Sequence, residues 1–425
     1  MRIERLTFLN FRCFENYSLN LKKGTNLLFG ANSSGKTTIL RGLKIAMSSF
    51  FSGFSDANTR FKGIADDDFM SEIEGDTESL ERPVSIEYDF AEFQGLKLLR
   101  TGKKNRTSVS GIKNLRDTAK NLYLQLAKED DGSVELPLFA AFSTEDIHSS
   151  RKLDKKNFAK YYQPRSFGYY ECLQGDGFFE YWIYRLLVLA EGQKSLMEIE
   201  VVNNAIKNAL GENGCKIISG IEIRPMKKKV FFKYMDGREV ESSNLSDGYK
   251  RLVNIVTDLS IRCCLLNGKR YGTACCDNTP GVVLIDEVDL HLHPELQLLV
   301  IKSLRSTFPH LQFVVSSHAP LVMSSVMTND ENEVLYLQYN AGKYTALPIS
   351  TYGLDASTIL ELYMGQMSRV PEVDDRLKGL FDMIDEERYS EAKVMLSGLE
   401  QEFGDSLPEI IQARTMLEFN EVEDD

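Results

Sequence analysis

The chain has 425 residues, enough for two or three domains, with 43% apolar and 26% charged residues and a formal net charge of −12. That charge excludes a polycation that grips nucleic acid with its whole surface, so any such binding must come from local basic patches. No window approaches the roughly 20 apolar residues of a membrane span, and "MRIERLTFLNFRCFENYSL" lacks the unbroken apolar stretch of a signal peptide, so a cytoplasmic protein is expected.

Residues 3–9 and 17–21 alternate apolar and polar side chains as strands do, and 25–29 ("TNLLF") reads as a buried third strand. It runs into "GANSSGKT", Gly30 to Thr37, with a helix from about 36 to 50 behind it. This is the G-x-x-x-x-G-K-[ST] pattern in the strand-then-helix setting it requires. Backbone N–H groups of the turn and the helix start would surround phosphates, Lys36 would reach the β- and γ-phosphates, and the Thr37 hydroxyl would join a Mg²⁺ shell. Residues 52–82 are polar, acidic and irregular, and read as loop. "VSIEYDF" (84–90) and "LKLLR" (96–100) read as a strand pair. Residues 100–120 follow with seven Lys or Arg against one Asp.

"LPLFAAFS" (136–143) has the character of another buried strand, and a second basic stretch covers 149–160. Both basic stretches could contact a nucleic-acid backbone, though a solvated surface is the commoner use of such runs. The aromatic run 161–182 fits a core better than a base-stacking platform. Helical spacing covers 177–211, strands return over 216–240, and a strong helix starts near Ser246, a natural N-cap with Asp247 in the first turn. "GVVLIDE" (281–287) and "QFVVSSH" (312–318) are short β-branched runs of the kind found at the centre of a parallel sheet. From 353 the pattern is helical down to the acidic "EVEDD". No fixed-period repeat and no heptads long enough for a coiled-coil arm are visible. Seven cysteines, an odd count, are expected as reduced thiols; Cys263–Cys264 and Cys275–Cys276 lack the gap that zinc ligands keep.

A phosphate loop alone does not separate kinases, GTPases and ATPases. "VVLIDEVDLHLHP" (282–294) does, because an apolar strand ending in two acids places Asp286 to hold Mg²⁺ and Glu287 to polarise a water. Burial on both faces explains the apolar run but not the acids, which sit where open α/β sheets bind ligands. His318, at the tip of "VVSSHAP", is suited to sense a γ-phosphate. His291 and His293 with nearby acids offer a rival reading as a metal-hydrolase pair, in competition with the phosphate loop for the same acids.

Phosphate loop, "LSDGY", acid strand, "HLHP" and "SSHAP", in that order, resemble the ABC-type ATPase heads of the RecF, SMC and OLD families, and "LNFRCFENYSLNL" is similar to the opening of those heads. The likeness covers about residues 1–350. A narrower resemblance, carried by "LIDEVDLHLHPELQ", the LSDGY helix and the short helical C-terminus, is to the compact ATPases of anti-phage systems, the Septu (PtuA) and retron-associated kinds. The fold so implied is α/β: a P-loop NTPase head with mixed and parallel sheets flanked by helices. Residues 1–350 would form the head, with a partly basic, helical insertion at about 100–215, and 351–425 a C-terminal helical segment.

The resemblance further implies a head-to-tail dimer or higher homo-oligomer with two ATP molecules in the seam. Each ATP would sit on Gly30, Asn32, Ser33, Ser34, Gly35, Lys36, Thr37 and Thr38, with Asp286, Glu287 and His318 of the same subunit. Ser246 and Gly248 of the partner would touch the γ-phosphate, Asp289 would link the two sites, and Arg12 would contact the nucleotide. Asp247 stands where many transporter ATPases have glycine, which predicts slow hydrolysis. No glutamine is assigned to the Q-loop role; the "ADDDF" loop (65–69) could supply it and is left unassigned. After residue 350 the helical spacing leaves no nuclease pattern, and the Septu resemblance implies a separate HNH-type nuclease partner; the C-terminal helices are a candidate docking surface for it, with a simple capping role for the core as the equal alternative. Two other readings are a RecF-like DNA-repair clamp and a scaffold in which ATP is structural.

Overall fold

The computed structural model describes residues 1–70, 73–74, 77–78, 82–143, 155–174, 178–365 and 370–423. It divides into two units, Met1–Ala356 and Ser357–Asp425.

The larger unit is organised by a six-stranded sheet in the order Lys343–Ile349, Glu333–Asn340, Thr25–Gly30, Leu311–Ser317, Gly281–Ile285, Leu138–Phe142. Neighbours are parallel except for the outermost pair, 333–340 with 343–349. Every residue of the strands 25–30, 138–142, 281–285 and 311–317 is buried, which is why these segments read as unbroken apolar runs. Their parallel register, with Val315 beside both Leu27 and Ile285, brings the C-terminal ends of three strands to one edge. The three ends are Gly30, Ile285 and Ser317.

A second, antiparallel sheet has the order Phe14–Asn20, Ile3–Phe11, Val84–Phe90, Phe93–Arg100, Ser108–Gly111. The helix Lys36–Ser48 packs against strands of both sheets. Gly42 lets it come close, because a Cβ there would stand 2.2 Å from the Phe8 ring. Phe8, Phe11, Phe14 and Tyr17 form a ladder of stacked rings under the phosphate loop. Gln312, a polar residue in a strand buried on both faces, spends its whole amide on the junction. It accepts the Ile3 N–H at 2.8 Å and donates to the carbonyls of Ile3 and Lys22, both at 2.7 Å.

A three-stranded antiparallel sheet (Ile218–Arg224, Lys229–Tyr234, Glu239–Glu241) precedes the helix Asp247–Tyr271. Helices Phe179–Gly192 and Leu196–Leu210 pack on that helix, which is buried over most of its 25 residues. Asp258 in its interior takes a 2.6 Å bond from Arg262 and another of 2.6 Å from the Trp182 indole. The aromatic run is core, as its composition suggests: Phe167, Tyr169, Phe178, Phe179 and Trp182 are buried, while Tyr161 and Tyr162 are exposed.

The first basic stretch is more structured than its sequence implies, forming the strand Ser108–Gly111 and the helix Lys113–Lys128. Arg100 is not available to a phosphate backbone. It is buried, pairs with Asp66 at 2.5 Å and donates to the carbonyls of Ile64 and Asn105. Lys104, Arg106, Lys113, Arg116 and Lys120 are exposed. Of the second basic stretch, 149–154 lie outside the described residues.

In the smaller unit, helices Pro371–Asp385, Tyr389–Phe403 and Pro408–Glu423 bury their apolar stripes against one another around Leu380, Ala392, Leu399, Ile410 and Ala413. Among the described residues no helix is long and apolar enough to cross a membrane.

Candidate nucleotide site

The phosphate loop leaves the strand Thr25–Gly30 and enters its helix through Gly35, whose φ of +96° is open to glycine. A Cβ at Gly35 would also stand 2.6 Å from the tip of Phe14, so the aromatic ladder fixes the height of the turn. Ala31, Asn32, Ser33 and Thr37 are exposed around it, and Ser34 and Lys36 are buried within it. The Lys36 ammonium donates to the carbonyls of Gly30 at 2.7 Å and Ala31 at 3.0 Å, folding back over its own loop. Burial lowers its pKa to about 8, against the pull of Asp286, Glu287 and Asp289. Thr38 accepts a long 3.6 Å contact from the Cys13 thiol.

Asp286 and Glu287 follow directly on the strand 281–285. The Asp286 side chain is buried and accepts a 2.5 Å bond from the Ser316 hydroxyl. The same hydroxyl accepts the Glu287 N–H at 2.8 Å. Glu287 itself is half-buried with φ +48°. Arg251, five residues into the helix that starts beyond Ser246, donates one guanidinium nitrogen to the Asp286 carbonyl and the other to the Glu287 carbonyl, each at 2.5 Å.

His318 lies just beyond the strand Leu311–Ser317 and is half-buried. Burial lowers its pKa, and Lys36 lowers it further, while Glu287, Asp289 and Asp286 pull the other way. Burial therefore favours the neutral imidazole. Lys36, Asp286, Glu287, Asp289 and His318 thus lie close enough to influence one another's charge. Arg12, with φ +54°, shares a cleft with Thr37, Arg41, Lys44, Ser143 and Asp286.

Ser246 holds the N-cap position, but its hydroxyl makes no capping bond; it and Asp247 are exposed. Gly248 is buried against its own chain, since a Cβ there would stand 2.2 Å from the His291 carbonyl oxygen. In the "ADDDF" loop, Asp68 is committed to structure. It takes two 3.2 Å bonds from Arg41 and one of 2.8 Å from the Ala65 N–H, and its carbonyl accepts the Arg12 N–H at 3.0 Å. Among the described residues no group of three potential ligands is arranged to hold a metal, His291, His293 and the four paired cysteines included.

Two residues escaped the sequence reading, Ser316 and Arg251. Ser316 was legible in principle, because a serine in a strand buried on both faces must find a hydrogen-bond partner. Arg251 carried no such signal, as a basic residue one turn into a helix is usually solvated.

The donor set fits a magnesium nucleotide. Two buried oxygens at this edge, Ser34 Oγ and Asp289 Oδ1, have no hydrogen-bond partner among the described residues. A lysine satisfied only by loop carbonyls, a hydroxyl at Thr37 and a carboxylate at Asp286 complete a polar cradle. Fold and site together define a P-loop ATPase head of the ABC type, with mixed and parallel sheets flanked by helices. Residues 25–324 match the family described as "AAA domain, putative AbiEii toxin, Type IV TA system", and the chain belongs to it.

The chain is similar to several named proteins. The retron Vc95 probable ATPase of Vibrio cholerae is 25% identical, the match covering 85% of this chain and 79% of the relative. The retron Ec83 probable ATPase of Escherichia coli is 23% identical over 100% of this chain and 88% of its own. Septu protein PtuA of Bacillus thuringiensis is 23% identical over 81% and 78%. A solved SMC head bound to the C-winged helix domain of ScpA aligns at 14% identity with a TM-score of 0.48, covering 82% of this chain and 98% of its own.

Proposed function

We propose that the chain is a cytoplasmic ATPase of an anti-phage defence system, which self-associates around ATP and through that assembly controls a separate nuclease. The observation that carries the ATPase part is the meeting of Lys36, Asp286, Glu287 and His318 at the ends of three adjacent parallel strands. Lys36 would leave the loop carbonyls for the β- and γ-phosphates, and Ser34 Oγ and the loop N–H groups would take phosphate oxygens. Thr37 and Asp286 would hold Mg²⁺, whose charge offsets that of the phosphates. Glu287 would orient and polarise the attacking water, and neutral His318 would donate to the γ-phosphate.

The exposed hydroxyl at Ser246 and the helix start behind it suit a ligand arriving from another copy, which supports the head-to-tail reading. Asp247 would then meet the same phosphates as a like charge and slow closure. The defence role and the nuclease partner rest on the retron and Septu likeness. Light scattering of the full chain with a non-hydrolysable ATP analogue tests the assembly: association is expected with wild type and absent in Lys36→Ala. Co-purification with an HNH nuclease encoded beside the gene, strengthened by the analogue, tests the partner; a wild type that stays monomeric and recovers no nuclease overturns the proposal. The exposed cations Lys104, Arg106 and Lys113 favour a second reading, a DNA clamp. Turnover stimulated by DNA and lost when those three are neutralised would establish it.

A further inference from the structure

Glu287 is held in a conformation that residues with a Cβ rarely adopt, at φ +48°. Four hydrogen bonds from Ser316 and Arg251 hold the dipeptide that contains it. From the sheet side, Ser316 Oγ donates to the Asp286 carboxylate and accepts the Glu287 N–H. From the other side, the planar fork of Arg251 reaches the two successive carbonyls of Asp286 and Glu287. Arg251 is buried, so this fork is no solvated surface contact.

Arg251 belongs to the first turns of the helix that begins after Ser246. The same segment touches the acid loop at a second point, where Gly248 lies against the His291 carbonyl with no room for a side chain. His291 is itself left-handed, at φ +61°. The helix start and the loop 286–291 are thus joined at both ends and have little freedom to shift independently.

We propose that Arg251 is a positioning residue that couples the two nucleotide sites of an assembly. A partner's triphosphate that engages the helix at Ser246 sets, through the Arg251 fork, the backbone of Glu287 in the first subunit's own site. The coupling rests on the head-to-tail reading above and adds a direction to it: from the surface that meets a neighbour to the acid that acts at home. Ser316 holds the same acids from the sheet side, which makes it the natural control.

The test uses the full chain with magnesium ATP, reading the ATP dependence of turnover together with association by light scattering. Wild type is expected to show a Hill coefficient well above 1, approaching the two sites available. Arg251→Met should lower kcat by about 10- to 100-fold and bring the Hill coefficient to about 1, while the ATP concentration for association changes less than about threefold. Arg251→Lys, able to reach one carbonyl, should recover part of both. Ser316→Ala should lower kcat and leave the Hill coefficient as it is.

A Hill coefficient in Arg251→Met equal to that of wild type overturns the coupling, whatever its kcat. Loss of cooperativity in Ser316→Ala also overturns it, because any loosening of the acids would then suffice. Should Arg251→Met fail to fold, Arg251→Lys is judged by the same criteria. A wild type that associates with ATP yet has a Hill coefficient of 1 removes the coupling and leaves the composite site standing. A wild type that never associates removes both.

Discussion

The dipeptides Asp286–Glu287 and Ser246–Asp247 lie at opposite ends of the Arg251 connection and are treated in opposite ways. Around the acids every backbone group is engaged: Asp286 N–H on the Phe142 carbonyl, Glu287 N–H on Ser316, and both carbonyls on Arg251. At the helix start, Ser246 and Asp247 are exposed and the serine hydroxyl caps nothing. A group that must act on a reacting atom has to be fixed before the substrate arrives, because loose geometry costs rate steeply. A group that receives a ligand from outside must remain accessible.

That contrast can be broken experimentally, most sharply at Glu287. Glu287→Gln should lower turnover by roughly 10²- to 10⁴-fold while ATP still drives association. Ser246→Arg should instead weaken association, so identical phenotypes for the two would erase the distinction. Next in size, Gly248→Ala pushes a methyl group towards the His291 carbonyl and should cost about 1–3 kcal/mol in stability, read from denaturant unfolding of the larger unit. An unchanged midpoint would mean that the loop and the helix start are not tightly joined.

Asp247→Gly removes a carboxylate from beside the incoming phosphates, and turnover is expected to rise several-fold, by about 1 kcal/mol of barrier. An equal or slower rate contradicts the charge argument. The smallest effect concerns Lys36. Its pKa of about 8 should rise when phosphates replace loop carbonyls, so nucleotide binding takes up a proton once the free lysine is deprotonated. Affinity measured in EDTA should be flat up to about pH 8 and fall beyond it, by up to roughly tenfold per pH unit. An affinity that is constant to pH 9.5 would place Lys36 outside the phosphate contacts.

Much of the head was legible because local chemistry demanded it. A buried parallel strand needs an unbroken apolar run, and a glycine turn before a lysine and a helix has few uses besides phosphate, so 25–37 and 281–287 could be read directly. The role of Arg100 was not legible, because its sequence neighbours Lys103, Lys104 and Arg106 are basic and only the fold brings Asp66 and the Ile64 carbonyl to it. The strand and helix within 108–128 were hidden for a related reason: charge density draws attention to solvent while Leu115 and Ala119 supply a narrow buried stripe. The Asp68–Arg41 pair likewise joins a loop to a helix 27 residues away.

The amino-acid order by itself determined the buried parallel strands, the glycine turn, the helix behind it and the placing of Lys36, Asp286, Glu287 and His318 next to strand ends, since each rests on a few consecutive residues. Only the tertiary structure decided how those groups are held. Ser316 and Arg251 reach the acids across 29 to 36 residues of chain. A hydrogen bond between segments that far apart depends on sheet register and helix docking, which no local pattern encodes.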